Sequence, residues 1–113
     1  MNKGKFGETL AKNYLKNKGY NIISENYRTR FGEIDIIAEK SDTIIFVEVK
    51  YRTNKNFGRA EESINSFKLE RIKSSALHFL KTCKKNYKNF RIDIVAINNF
   101  EELKINHYKN IEI

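Results

Sequence analysis

The stretch from Gly32 to Lys50 constrains the fold most, because its pattern indicates two β-strands joined by a short polar turn. Residues 33–39 and 43–50 are both rich in β-branched side chains, which suit a pleated and half-buried surface. Lys40-Ser41-Asp42 supplies typical turn residues between them. The pattern therefore predicts an antiparallel hairpin at the centre of the fold.

The alternation of apolar and charged residues favours one register for this hairpin. If Glu39 faces Ile44, then Asp35 faces Glu48 and Glu33 faces Lys50, with Ile37 opposite Phe46 on the same face. A slip of one residue would pair charged positions with the apolar face, which makes other registers unfavourable. The apolar face is predicted to pair Ala38 with Ile45, Ile36 with Val47 and Ile34 with Val49.

The rest of the chain predicts two helices and three more strands. Residues 3–18 form an amphipathic helix stopped by Gly19, and residues 20–28 form a strand. Residues 66–85 form a second helix with Ser66 as its N-cap, and strands follow at residues 90–97 and 103–108. The order αβββαββ predicts an α/β fold with a central mixed β-sheet flanked by helices. The apolar stripe of the second helix is predicted to be Phe67, Ile72, Ala76, Phe79, Leu80 and Cys83.

Length and composition predict a single domain over residues 1–113, with a core of its own. The single cysteine, Cys83, excludes an internal disulfide and fits a reducing compartment. Because no apolar run approaches the roughly 20 residues that span a bilayer, we expect a cytoplasmic protein without membrane contact. His78 has no metal-ligand partner at useful spacing and is predicted to be structural, and His107 has no partner in the sequence. Homodimerisation is left open.

The net charge of +8, from 22 Lys and Arg against 14 Asp and Glu, favours a polyanionic partner, nucleic acid above all. The abundance of Lys, Asn and Ile is also typical of an AT-rich coding sequence, which weakens that inference. The stretch 51–59 mixes basic and aromatic residues, which suits either phosphate contact and base stacking or a solvated loop. The residues predicted to contact nucleic acid are Arg28, Arg30, Arg52, Lys55, Arg59 and Arg71.

The charged face of the hairpin has a chemical interpretation. Asp35 opposite Glu48 is unfavourable unless a cation lies between them, and Mg²⁺ prefers one or two carboxylates completed by water and substrate. The carbonyl of Val49 is a candidate third ligand, and Lys50 could orient the nucleophile or offset charge on a phosphate. Glu8, at the edge of the first helix, could contact a metal-bound water or be an ordinary first-turn glutamate. The competing interpretation is a solvated charged face with Lys50 paired to Glu33.

Several stretches also resemble a known family. They are Gly7-Glu8 with Ala11, residues 26–28, residues 32–38, residues 46–52, Phe57-Gly58, Lys68 and residues 91–93. In this order they are similar to the YraN-like family of small predicted endonucleases in the PD-(D/E)xK nuclease superfamily. Ile34 stands where the proline of the superfamily motif would be, a variation that members tolerate.

The resemblance implies a restriction-endonuclease-like core and a metal-dependent active site. It places catalytic roles on Glu8, Asp35, Glu48 and Lys50, with Mg²⁺ or Mn²⁺ as cofactor. Lys68 falls where related nucleases carry a further active-site residue on the second helix. Holliday-junction resolvases share this arrangement, so the implied substrate is DNA, branched or damaged. Two alternatives are a non-catalytic nucleic-acid adaptor that retains the fold and a basic structural protein such as a ribosome-associated factor.

Overall fold

The computed structural model describes residues 3–111, and the predicted domain of residues 1–113 extends past them at each end. The order of its elements is the predicted αβββαββ. Two short 3₁₀ turns, Lys55–Phe57 and Ala60–Ser63, lie between the third strand and the second helix. The helices and strands are α1 Lys3–Asn17, β1 Asn21–Thr29, β2 Gly32–Lys40, β3 Thr43–Arg52, α2 Ser66–Thr82, β4 Asn89–Asn99 and β5 Leu103–Tyr108.

The strands form one mixed sheet in the order β1-β2-β3-β4-β5. Neighbouring strands are antiparallel except for β3 and β4, which are parallel. Parallel neighbours need a crossover connection, and α2 provides it. The predicted fold class is confirmed: an α/β core with a mixed sheet flanked by helices, as expected for a restriction-endonuclease-like arrangement.

Each helix covers a separate part of the core. Ala11 and Leu15 of α1 are fully buried in a cluster with residues such as Ile36 and Val47. Ile72 and Ala76 of α2 pack in a second cluster that includes Phe46. Burying a side chain of this size contributes roughly 1.5–3 kcal/mol, so these clusters fix both helices against the sheet.

The predicted hairpin register is confirmed over its first half. Glu39 pairs with Ile44, Ile37 with Phe46, and the ladder continues to Ile36 opposite Val47. Beyond that rung the regular ladder stops, and the side chain of Asp35 accepts the Val49 backbone N–H at 2.8 Å. Asp35 and Glu48 are still neighbours, as predicted, but the predicted pairing of Ile34 with Val49 on one apolar face was wrong. The alternation of faces also breaks there: Ile34 lies in the α2-side cluster, whereas Ile36 lies in the α1-side cluster.

Three details of the predicted helices change. The N-cap of α2 is Asn65, whose side chain accepts the Lys68 N–H at 2.9 Å, rather than Ser66. The helix ends at Thr82, and Phe67, predicted to be in its apolar stripe, is 70% exposed. Gly19 does follow α1, with φ +90° and an N–H bonded to the carbonyl of Lys16. Such a left-handed cap favours glycine.

No helix within residues 3–111 is long and apolar enough to cross a membrane.

Candidate functional site

The predicted catalytic side chains share a cleft of about 220 Å³ where α1, α2 and the adjacent parts of β2 and β3 meet. Asp35 comes from β2, Glu48 and Lys50 from β3, Glu8 from α1 and Lys68 from the first turn of α2. The cleft lining is Gly4, Glu8, Asp35, Glu48, Val49, Lys50, Tyr51 and Lys68. The fold thus brings residues from distant parts of the chain into one cleft.

Close contact between α1 and β3 places Glu8 at this cleft. A Cβ on Gly7 would lie 2.6 Å from the Cβ of Tyr51, which is closer than side chains tolerate. Glycine therefore allows the first turns of α1 to lie directly on β3. Glu8, the next residue, reaches the cleft because of this contact.

Asn26 is a residue of this site that the metal-site argument missed. Its φ of +54° lies in the left-handed region, which asparagine tolerates better than most residues. With its amide oriented to donate, its nitrogen lies 3.0 Å from Glu8 Oε1 and 2.9 Å from Glu33 Oε1. Asn26 therefore links the glutamate of α1 to the start of β2.

The predicted pairing of Glu33 with Lys50 was wrong. Glu33 Oε2 lies 3.5 Å from Arg28 Nε, across the β1–β2 ladder, where the two residues are register partners. The Asn26 amide contacts the other oxygen of Glu33. Lys50 instead approaches Glu48, with Nζ 3.9 Å from Glu48 Oε2.

Glu48 is the most unusual group in the cleft. Its side chain is 2% exposed, and Lys68 Nζ approaches Oε2 to 3.2 Å. Within residues 3–111, however, Oε2 has no hydrogen-bond partner, because neither lysine approaches in hydrogen-bonding geometry. A buried carboxylate oxygen without a hydrogen bond is costly, since burial removes the water that would otherwise solvate it.

Burial and repulsion from neighbouring carboxylates disfavour ionisation of the carboxyl groups of Glu48 and Glu8. Burial and the neighbouring Asp35 raise the pKa of Glu48 to about 8, although Lys68 and Lys50 act in the opposite direction. Burial, Asp35 and Glu33 likewise raise the pKa of Glu8, and the hydrogen bond with Asn26 partly offsets this. An additional cation in the cleft would relieve the repulsion among these carboxylates.

The donor set fits Mg²⁺ better than a metal that needs an all-protein cage. Within residues 3–111, no three His, Cys, Asp or Glu side chains converge as a ligand group. Asp35 and Glu48 supply two hard oxygen donors, and Val49 lines the same cleft. Mg²⁺ usually takes one or two carboxylates and completes its shell with water and substrate oxygens.

Comparison with known proteins identifies the family of this chain. The model described as "Uncharacterised protein family UPF0102" matches residues 7–97, from α1 through most of β4. The chain belongs to the UPF0102 family. The matched range contains every residue of the candidate cleft except Gly4. This result confirms the predicted YraN-like membership and names no activity.

Three UPF0102 proteins illustrate how extensive the similarity is. One from Sulfurihydrogenibium is 48% identical over 95 residues, covering 84% of this chain and 83% of the relative. One from Thermodesulfovibrio yellowstonii is 46% identical over 107 residues, covering 95% and 92%. One from Clostridioides difficile is 44% identical over 108 residues, covering 96% and 94%.

The basic residues predicted to contact nucleic acid fall into two groups in this UPF0102 protein. Arg28, Arg30 and Arg71 surround the β1–β2 turn and the start of α2, where Arg71 and Lys68 line one groove. The other group lies at the end of β3 and in the loop after it, and its members make contacts within the protein. Those contacts are Arg52 to the Phe57 carbonyl (3.2 Å), Lys55 to Glu101 (4.0 Å) and Arg59 to Glu61 (3.0 Å).

A second buried polar network lies outside the cleft. Asp93 on β4 is fully buried and contacts Arg91 at 3.0 Å and His107 of β5 at 2.7 Å. Burial disfavours its charged form, but the bonds from His107, Arg91 and the Asn110 N–H outweigh it and lower the pKa of Asp93. His107 also lies 3.2 Å from the Tyr14 hydroxyl. The network joins α1, β4 and β5, and its only sequence signal was the Arg91-Ile92-Asp93 match.

Proposed function

We propose that this UPF0102 protein is a divalent-metal-dependent nuclease that hydrolyses phosphodiester bonds in DNA, with branched or damaged DNA as its substrate. The observation that supports this most is Glu48: a buried carboxylate whose Oε2 has no hydrogen bond within the described residues, in the same cleft as Asp35 and two lysines. A divalent cation in this cleft would give the unsatisfied oxygen a ligand and would offset the repulsion between Glu48 and Asp35.

The carboxyl group of Asp35 has a fixed position that suits it to bind a cation. Its Oδ2 accepts the Val49 N–H at 2.8 Å, which fixes the carboxyl group on the rigid sheet beside Glu48. Asp35 and Glu48 are the residues that would hold a divalent cation, which would supply Lewis-acid chemistry for activating water and offsetting charge on the scissile phosphate. The chain's part is to provide two hard oxygen donors in fixed positions.

The lysines are suited to the phosphate and its nucleophile. Lys50 and Lys68 lie 3.9 Å and 3.2 Å from Glu48 Oε2, on a strand and a helix that are both anchored in the core. Cations held at these positions stabilise the negative charge that develops on a phosphate during hydrolysis. Glu8, with its raised pKa, can hold or accept a proton at the edge of the cleft.

One observation favours the alternative of a non-catalytic nucleic-acid adaptor. Lys68 and Lys50 both lie close enough to Glu48 to offset its charge without a metal ion. In that case the cleft would be a neutralised structural site, and DNA would be bound without being cut. Binding measurements cannot separate the two functions, because both predict affinity that falls steeply with salt.

Cleavage of a labelled DNA panel separates them. The panel contains linear duplex, single strand, flap and four-way junction, each incubated with Mg²⁺, Mn²⁺ or chelator. We expect cleavage that needs Mg²⁺ or Mn²⁺ and is lost in Asp35→Ala and Lys50→Ala variants that still bind DNA. Glu33→Gln is the matched control, because Glu33 lies beside the cleft but is held by Arg28.

Cleavage by Asp35→Ala or Lys50→Ala at the wild-type rate would assign the activity to another site or to contamination. DNA binding without cleavage of any panel member in either metal would favour the adaptor.

A further inference from the structure

Phe67 is exposed in a way that the fold does not explain. It lies in the first turn of α2, directly before Lys68, and 70% of its surface is accessible. An exposed phenylalanine does not gain the roughly 1.5–3 kcal/mol of stabilisation that burial of its side chain would give. Leu69, two residues later, does pack on the core. An exposed aromatic residue next to a residue of the cleft suggests contact with the same ligand.

Arg71, the charged residue beside the Phe67 ring, has no neutralising carboxylate within residues 3–111. The guanidinium carbon of Arg71, one helical turn later, lies 5.6 Å from the centre of the Phe67 ring. Within residues 3–111, no carboxylate lies within ion-pair distance of Arg71 or Arg30. Both arginines therefore present a full positive charge to an external anion.

A second aromatic and arginine pair lies beside the first. On the β1–β2 turn, the guanidinium carbon of Arg30 lies 4.9 Å from the Phe31 ring centre, and Phe31 is 36% exposed. Gly32, the next residue, lies against the Arg71 side chain, since a Cβ there would be 3.3 Å from Arg71 Nε. Arg30 and Phe31 line a groove of their own, and Gly32 lines the groove of Phe67 and Arg71, so the two grooves adjoin at the β1–β2 turn.

This surface is held rigidly in place. The Thr29 hydroxyl accepts the Phe31 N–H at 3.0 Å and lies 2.9 Å from the hydroxyl of Ser75, which is buried in α2. These contacts fix the β1–β2 turn to the helix that carries Phe67. A rigid surface loses little conformational entropy on binding a ligand.

We propose that Phe67, Arg71, Phe31 and Arg30 form a platform that holds an unpaired nucleotide beside the cleft. A ring stacks on the base, and a guanidinium group binds the adjoining phosphate. Because Phe67 and Lys68 line one groove and Lys68 also lines the cleft, the platform selects nucleic acid with a single-stranded segment next to the bond that is cut. This inference rests on the proposed nuclease function and narrows its substrate class.

The charge pattern favours this occupant over a second copy of the chain. A symmetric dimer through this surface would bring the unpaired arginines of both copies together, and like charges repel. A fully paired duplex offers phosphates but no free base faces, so it uses the arginines and leaves the rings unused. The remaining acid in the adjoining groove, Glu33, is engaged by Arg28 and Asn26.

Equilibrium binding in chelator tests the platform without requiring cleavage. The probes are a gapped duplex with 2-aminopurine in the gap and a fully paired duplex of equal length. We expect the wild type to prefer the gapped probe and to quench its fluorescence, which reports stacking. Phe67→Ala should lose on the order of fivefold to a hundredfold in affinity for the gapped probe, the range for one stacked base. Affinity for the duplex should stay within about twofold of wild type.

Three further variants test the role of the Phe67 ring and of Arg71. Phe57→Ala removes a phenylalanine that is 72% exposed, on the loop after β3, and should leave the preference intact. Phe67→Trp should restore it. Arg71→Gln should weaken binding and reduce the salt dependence by about 0.7 for one lost contact to a single-strand phosphate.

The outcomes distinguish this inference from the proposed function. A gapped-probe preference that depends on Phe67, without cleavage in Mg²⁺, would support the platform and refute the nuclease. Cleavage by a wild type that shows no such preference would do the reverse. The platform is also refuted if Phe57→Ala and Phe67→Ala lose affinity equally. Sedimentation showing that Phe67→Ala only dissociates a dimer would assign the surface to a second copy.

Discussion

Asp35 and Glu48 differ in how the protein stabilises their carboxyl groups. Asp35 is stabilised by a backbone hydrogen bond from Val49, whereas Glu48 Oε2 has only the electrostatic attraction of two lysines. Removing one carboxylate from the pair therefore relieves repulsion and removes a buried group that lacks a hydrogen bond. The same change removes a donor that a divalent cation would use.

Thermal melting with and without Mg²⁺ tests this residue directly. At about ten times its Kd, an ion that binds only the folded state stabilises it by about 1.4 kcal/mol, or a few degrees in Tm. We expect this shift in the wild type and its loss in Glu48→Gln, whose metal-free Tm should equal or exceed that of the wild type. Glu33→Gln should keep the shift. Equal Mg²⁺ shifts in wild type and Glu48→Gln would exclude Glu48 as a ligand.

At the scale of elements, the carboxylate of Glu61 attaches the 3₁₀ turn Ala60–Ser63 to the sheet. Glu61 accepts hydrogen bonds from Asn98 (2.8 Å), Asn106 (3.1 Å) and Tyr108 (2.7 Å) on β4 and β5. Burial disfavours its ionisation, but the bonds from Asn98, Tyr108 and Arg59 outweigh it and lower the pKa of Glu61 to about 2. These bonds attach the segment between β3 and α2 to the sheet.

The lowered pKa predicts how acid affects folding. A depressed folded-state pKa contributes stability above the ordinary value of 4.5, and this is lost as pH falls from there toward about 2. Urea denaturation should therefore show wild type more stable than Glu61→Gln at neutral pH, with the difference shrinking below about pH 4.5. A difference that stays constant down to pH 3 would show that Glu61 acts by packing rather than by charge.

The sequence predicts the elements well because periodicity reflects burial, and it fails where side chains replace backbone partners. Alternation of apolar residues predicted the hairpin register up to Ile36 and Val47. It could not foresee that the Asp35 carboxyl group would accept the Val49 N–H and end the ladder. Nor does periodicity separate a buried Phe67 from an exposed one, since the distinction depends on what packs above the first turn of α2.

Contacts between residues that are far apart in the chain were the hardest feature to predict from the sequence. His107 had no partner in sequence, yet it lies 2.7 Å from Asp93 and 3.2 Å from the Tyr14 hydroxyl, 93 residues away in the chain. The link from Asn26 to Glu8 also joins residues that no periodic pattern relates. The cleft residues themselves were found because charge opposition and family resemblance indicated the same positions.

At the scale of the whole molecule, positive charge and the cleft belong to one surface. The chain carries a net charge of +8, and the unpaired arginines of the platform lie beside Lys68, which also lines the cleft. Such a field attracts nucleic acid without regard to sequence. In the proposed nuclease, selectivity would then come from the shape of the cleft and from the stacking groups around it.

Single-turnover cleavage of the preferred DNA in Mg²⁺, with enzyme in excess, tests the central claim most directly. Wild type and Glu48→Gln are compared at enzyme concentrations that saturate binding of both, with Glu33→Gln as control. Loss of one group that stabilises transition-state charge costs about 100-fold or more in rate. The account predicts such a loss for Glu48→Gln and a near-wild-type rate for Glu33→Gln. Equal cleavage rates in wild type and Glu48→Gln would contradict it.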